Sequence, residues 1–179
     1  MNVQQTVIPD ALIFEPQVFG DDRGFFLETY QAQRYQDAGL NANFVQDNHS
    51  FSSKGVLRGL HFQKQHPQGK LVYVSVGTVF DVAVDLRPDS PAFGKWVGVL
   101  LEAGQHKQFY VPPGCAHGFC VLSDTAHFHY KCTDYYRPDD EGSLLWNDAD
   151  IGIDWPMQDV QLSGKDKVAL SFSDYKKSL

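Results

Sequence analysis

Basic charge is scarce in this 179-residue sequence: 15 Lys and Arg stand against 22 Asp and Glu, a formal net charge of −7. A generic nucleic-acid binder carries a basic face or stripe, so no nucleic-acid partner is expected. Cysteine is scarce as well. Cys115, Cys120 and Cys132 are odd in number and form no Cys-x-x-Cys pair, which argues against both a disulfide framework and a zinc knuckle. A reducing, cytoplasmic setting is the expected compartment. Long apolar runs are missing too. Met1 to Phe19 lacks a basic start and is interrupted by Pro9, Asp10, Glu15 and Pro16, so neither a signal peptide nor a membrane span is expected. No repeat, low-complexity block or linker marks an internal boundary, and a single domain over residues 1–179 is the natural reading.

What is abundant points to strands. Aromatic residues make up 13% of the chain and accompany 15 Gly and 9 Pro, a composition that suits many short strands joined by tight turns. The pattern predicts strands over Val56–Phe62, Leu71–Val76, Thr78–Leu86, Trp96–Leu101, Gln108–Val111, Gly118–Leu122 and Ala126–Thr133. Turn material separates them, as in His66-Pro67-Gln68-Gly69 and Pro112-Pro113-Gly114. One short helix is predicted near Gln31–Ala38, with Gly39 as its C-terminal stop. The stretch from Asp154 onward shows little periodicity beyond turns. The fold class expected is all-β, a sandwich or barrel with short peripheral helices.

Two motifs bear on chemistry. Pro112-x-Gly114-x-x-His117 is a tight turn that delivers a histidine to a following strand, and it resembles the second half of the cupin signature. Metal cupins add a His-x-His and a Glu, because a divalent ion needs three or four converging ligands. Here the matching early strand, Leu60-His61-Phe62-Gln63, has a single histidine, so no metal site is expected. The literal His-x-His, His127-Phe128-His129, puts its two imidazoles on one strand face, opposite Phe128 and Tyr130. If Tyr130 points inward, those histidines belong to the surface or to an interface. A metal at that pair is the alternative.

Longer segments carry a denser resemblance. Arg23-Gly24-Phe25-Phe26-Leu27-Glu28, Gln46-Asp47-Asn48-His49-Ser50, Leu57-Arg58-Gly59-Leu60-His61-Phe62-Gln63 and Gln68-Gly69-Lys70-Leu71-Val72 occur in order. Phe80-Asp81-Val82-Ala83-Val84-Asp85, Pro113-Gly114-Cys115-Ala116-His117-Gly118-Phe119 and Tyr130-Lys131-Cys132-Thr133-Asp134-Tyr135-Tyr136 follow. From about Val7 to Phe172 the chain resembles the dTDP-4-dehydrorhamnose 3,5-epimerases. The resemblance implies a cupin-like jelly-roll barrel, acting as a homodimer without metal or organic cofactor. The implied substrate is dTDP-4-dehydro-6-deoxy-D-glucose, inverted at C3 and C5. The C4 ketone acidifies both C–H bonds, because loss of either proton gives an enolate with its charge on O4. Such an enzyme needs a base on one face, an acid on the other, and a cation or donor at O4.

The resemblance assigns candidates to these tasks. His61 is the expected base, since a neutral imidazole has a pKa near working pH; Asp166, in Ser163-Gly164-Lys165-Asp166, is its expected partner. Tyr130 is the expected acid, as a phenol with an ordinary pKa near ~10 is protonated at neutral pH; on its own it would read as core packing. Lys70 is expected beside O4, with Asp81 holding it. Arg23 and Arg58 are the leading diphosphate ligands, because guanidinium binds phosphate oxygens bidentately. Glu28, Gln46, Asp47, Asn48, His117, Glu141 and Lys165 are implied nucleotide or sugar contacts, and Phe25 and Tyr135 could flank the thymine.

Arg58 and His61 are three positions apart and would face opposite ways on a regular strand; Gly59 is then the expected site of a bulge, unless Arg58 serves another wall or another subunit. Two departures from the family pattern stand out. Phe51 occupies a position that is often Arg, and Ala126-His127-Phe128-His129-Tyr130-Lys131 replaces a segment that often reads AEFLYK. The alternatives are an epimerase acting at only one of C3 or C5, a metal-dependent cupin, and a non-catalytic sugar-nucleotide-binding cupin.

Overall fold

The computed structural model describes residues 1–179. It is built from two antiparallel sheets and a separate hairpin. One sheet has six strands in the spatial order β1 (Asn2–Gln5), β2 (Leu12–Glu15), β10 (Gln108–Val111), β7 (Lys70–Val76), β12 (Thr125–Cys132) and β5 (Gln46–Ser53). The other runs β13 (Glu141–Ser143), β6 (Leu57–Gln63), β11 (Cys115–Val121), β8 (Thr78–Asp85) and β9 (Trp96–Glu102). Strands β3 (Val18–Asp21) and β4 (Gly24–Leu27) pair only with each other. The two large sheets face one another without a continuous closed ladder. The barrel expectation is thereby refined to the double-sheet form of a jelly roll.

Period-two alternation decides which residues lie between the sheets. On β8, Val79 and Ala83 pack into the central core while Phe80, Val82 and Val84 turn to the opposite face. The central core joins Val72 and Val74 of β7, Phe109 and Val111 of β10, Phe119 and Val121 of β11, and Phe128 of β12. A second apolar layer covers the outer face of the five-stranded sheet. There Leu57, Leu60, Val82, Val84 and Cys120 meet Leu144, Ile151, Trp155 and Phe172 from the C-terminal segment. That segment is therefore a cladding held by burial, although its turns carry little periodicity in sequence.

Helix α1 (Ala32–Asp37) forms where the sequence predicts it. The Gln31 side chain accepts the Arg34 backbone N–H at its start, and Gly39 takes φ 97° just beyond its end. It lays Tyr35 on the outer face of the six-stranded sheet with Phe14, Leu71 and Tyr110. Tyr35 donates its hydroxyl to Gln108 Oε1 at 2.6 Å, which satisfies a buried amide. Helix α2 (Phe172–Lys177) is a second short peripheral helix; Ser171 caps it, and Phe172 anchors it in the outer apolar layer.

Candidate active site

A cavity of about 560 Å³ opens between the sheets at one end, walled by β5, β6, β7, β11 and β12 and by the C-terminal residues 161–166. Both Arg58 and His61 line it, and a bulge is what permits this. His61 pairs with His117 and Arg58 with Phe119, so three steps along β6 match two along β11. The extra residue reverses the alternation, placing both side chains on the inner face. Glycine is required at the crossing: Gly59 has φ 136°, and a Cβ there would lie 2.5 Å from the Gly118 Cα.

His61 sits beside a fixed carboxylate. Its Nε2 is 2.6 Å from Asp166 Oδ1, and the other Asp166 oxygen accepts the Ser163 hydroxyl at 2.8 Å. Burial pushes Asp166 up, but the hydrogen bonds from His61 and Ser163 and the nearby Lys165 outweigh it, leaving the group below the ordinary carboxylate value. Asp166 is thus a carboxylate able to orient the ring and to support an imidazolium. Tyr130, on the inner face of β12 beside Phe128, also lines the cavity. Burial raises its pKa, reinforced by Cys132, so the phenol stays protonated at neutral pH.

Lys70 reaches the same space from β7 and makes no ion pair. Burial lowers its pKa, while the nearby Cys132, Asp81 and Glu141 oppose the shift. The expected Lys70–Asp81 pair is corrected here. Asp81 is fully buried and both its oxygens contact His117 Nε2, at 2.7 and 2.8 Å. The reason is register: Asp81 and His117 lie on the paired strands β8 and β11, two positions apart in register, so the imidazole is in reach whereas Lys70 is on the opposite sheet. Burial raises Asp81, and His117 and Lys70 both pull it back down.

The remaining candidates divide by strand face. On β5, Gln46 and Asn48 turn inward and line the cavity, whereas Asp47 turns outward and pairs with Lys131 at 2.9 Å. Asp47 is therefore removed from the cavity by simple alternation. Glu141 and Lys165 both line the mouth and pair with each other at 2.7 Å. Arg23, Phe25, Glu28 and Tyr135 lie outside the cavity of their own chain. Arg23 pairs with Asp21, Glu28 lies 2.8 Å from Arg34, and the Phe25 ring packs at a tilt against His106. Tyr135 is 60% exposed, and its neighbour Tyr136 lines the cavity instead. His127 and His129 face outward, where they stack with His49. No three His, Cys, Asp or Glu side chains converge as a metal site.

A family model described as dTDP-4-dehydrorhamnose 3,5-epimerase matches residues 5–174. The chain belongs to the dTDP-4-dehydrorhamnose 3,5-epimerase family. A relative so named from Salmonella typhimurium is 57% identical over 94% of each chain. The crystal structure of the Legionella pneumophila dTDP-6-deoxy-D-glucose-3,5-epimerase RmlC, in complex with dTDP-4-keto-L-rhamnose, superposes with a TM-score of 0.91. It is 55% identical and covers 94% of this chain and 90% of its own. ChmJ, a 3'-monoepimerase from Streptomyces bikiniensis solved with dTDP-quinovose, is 31% identical with a TM-score of 0.89, covering 97% of this chain and 89% of its own.

In this epimerase-family chain, Gln63, Gln68, Tyr136 and Ser163 line the cavity without having been singled out in sequence. Gln63 braces the rim: its amide donates to the His66 carbonyl at 2.7 Å and its oxygen accepts the Arg137 N–H at 2.7 Å. Its signal was available, since Gln63 continues the inward series through His61. Ser163 gave none, because the loop that carries it has no strand period to orient it.

Proposed function

We propose that this chain inverts C3 and C5 of dTDP-4-dehydro-6-deoxy-D-glucose, giving dTDP-4-dehydro-L-rhamnose, with its own side chains as base, acid and electrostatic support. The observation that carries the proposal is one cavity holding the His61–Asp166 pair, the protonated phenol of Tyr130 and the unpaired ammonium of Lys70. Binding alone needs no such set. His61 removes the proton alpha to the ketone, and Asp166 stabilises the imidazolium that results. Lys70 stabilises the enolate charge on O4, an effect that is large where water is excluded. Tyr130 then returns a proton to the opposite face. Arg58, exposed at the rim and held by Ser52 Oγ at 3.0 Å, serves the diphosphate.

The protein works in the cytoplasm as a homodimer in this reading, with the whole chain as one domain. The β3–β4 hairpin supports it: Phe19, Phe25 and Phe26 are more than half exposed there, and Arg23 is carried away from its own cavity. In a homodimer such a hairpin would bring Arg23 and Phe25 to the partner's site. Size-exclusion chromatography with light scattering tests the assembly, and a monomer would refute it.

The deciding experiment is incubation with the substrate in deuterated water after chelation, followed by NMR. Deuterium at both C3 and C5 is expected. Deuterium at one carbon would favour the single-centre reading, which the likeness to the 3'-monoepimerase supports. No deuterium at either carbon would overturn the catalytic assignment.

A further inference from the structure

We propose that Ser163 is a positioning residue of the catalytic base, acting on His61 through Asp166. Asp166 sits at the start of a single 3-10 turn, Asp166–Val168, in a loop outside both sheets. Nothing in the turn itself fixes the direction of its carboxylate. Ser163 does so through a closed pair of contacts: the Asp166 backbone N–H donates to Ser163 Oγ at 3.3 Å, and the Ser163 hydroxyl donates to Asp166 Oδ2 at 2.8 Å. The first contact aims the hydroxyl hydrogen, and the second leaves Oδ1 free for His61 Nε2 at 2.6 Å. Lys167 adds a backbone bond to the Ser163 carbonyl at 3.3 Å, which closes the loop over this arrangement.

The hydroxyl also sets how basic the pair is. A hydrogen bond donated to a carboxylate spreads its charge and weakens its pull on the proton shared with the imidazole. Removing that donor makes the His61–Asp166 pair hold its proton more tightly, so His61 remains an imidazolium, unfit as a base, to a higher pH. Both effects act on proton removal. Neither acts on nucleotide binding.

This inference rests on His61 being the base, and the test separates the two. The initial rate of deuterium entry at C3 and C5 is measured against pH for the wild type, Ser163→Ala and Ser163→Thr, alongside dTDP affinity by calorimetry. Wild-type exchange with an acid limb that is lost in His61→Asn secures the base. Ser163→Ala is then expected to lower the maximal exchange rate about tenfold. Its acid limb should move upward by about half a pH unit, with dTDP affinity unchanged. Ser163→Thr, which keeps the hydroxyl, should restore both. An acid limb that stays in place in Ser163→Ala, or a loss that appears in dTDP affinity instead, would overturn the positioning role and make Ser163 a substrate contact or a structural residue. A wild type without exchange would overturn the reading of the base itself.

Discussion

Replacing Gly59 by Ala isolates the backbone feature on which the cavity depends. The residue sits at φ 136°, and the added methyl would lie 2.5 Å from Gly118 Cα and 3.0 Å from the His117 carbonyl oxygen. Both neighbours are backbone of a central strand, so no side chain can swing aside. The dihedral costs about 1–3 kcal/mol for a residue with a Cβ, and the overlap adds about 1–3 kcal/mol. The sum centres on roughly 4 kcal/mol. For a domain of this size each kcal/mol lowers Tm by about 2–4 °C, which gives a fall of about 8–16 °C, measured by differential scanning calorimetry. If the protein relieves the strain by closing the bulge, Arg58 and His61 no longer share a face. A displacement near 1 Å costs about 100-fold in rate, so deuterium exchange measured well below the new Tm should fall by at least that factor. A Gly59→Ala protein with Tm within about 2 °C of wild type and near-normal exchange would refute the bulge argument.

Asp166→Asn keeps the shape of the side chain but removes its charge, and exchange at both carbons should drop by about two to three orders of magnitude, in line with the loss of an imidazolium's partner; NMR after deuterium labelling measures it, and a loss under tenfold would contradict the pairing at 2.6 Å. Tyr130→Phe should depress inversion more than proton removal, because it takes away the returning acid; equal losses in the two assays would make Tyr130 a positioning group. Lys70 has a lowered pKa through burial, and in the proposed mechanism only its protonated form supports the enolate. Rates should therefore decline as pH rises, with a midpoint below the ordinary lysine value near ~10.4, and Lys70→Met should abolish that limb. Stability has the opposite pH sense. Asp85 and Asp166 are held below their ordinary value in the folded state, so their contribution is present above about pH 4 and is lost as pH falls through the folded pKa values. Urea midpoints measured from pH 7 to pH 3 should show the decline.

The legible parts of the fold are those whose side chains alternate between apolar layers. Strands β7, β8, β9, β10 and β12 bury one or both faces in Val, Leu and Phe, and their sequence limits fall within a residue or two of the observed ones. Strand β5 is not legible in the sequence, because Gln46-Asp47-Asn48-His49-Ser50-Phe51-Ser52-Ser53 is largely polar on both faces. One of those faces lines a polar cavity and the other is open, so hydrophobic periodicity has nothing to register. Strands β3 and β4 are illegible for a related reason: their hairpin buries almost nothing within its own chain. At the site, alternation placed Phe128 and Tyr130 opposite His127 and His129, and the same rule explains why Asp47 leaves the cavity while Gln46 and Asn48 enter it. The Asp81 partner could not be read locally, since it depends on which strand lies next to β8.

That pairing decides the electrostatics of the whole cavity. Two buried carboxylates stand near it, Asp81 and Asp166, and each is taken by an imidazole, His117 in one case and His61 in the other. Glu141 at the mouth is taken by Lys165. With every nearby carboxylate engaged, Lys70 and Arg58 are the lining cations left without an anionic partner in the protein. A Lys70–Asp81 ion pair would have neutralised the ammonium in advance, and an enolate would then compete with a fixed carboxylate for the same protons. By giving Asp81 to His117, the register of β8 against β11 keeps Lys70 desolvated and uncommitted, the state the proposed mechanism needs if negative charge in the transition state is to be favoured over the neutral ketone that precedes it. Arg58 is likewise left without an anionic partner, since its hydrogen bonds go to the neutral Ser52 hydroxyl and the Phe51 carbonyl, and in the proposed reading that leaves it open to the diphosphate. The order of strands in the sheet is thus what separates the cations available to the proposed substrate from those already paired within the protein.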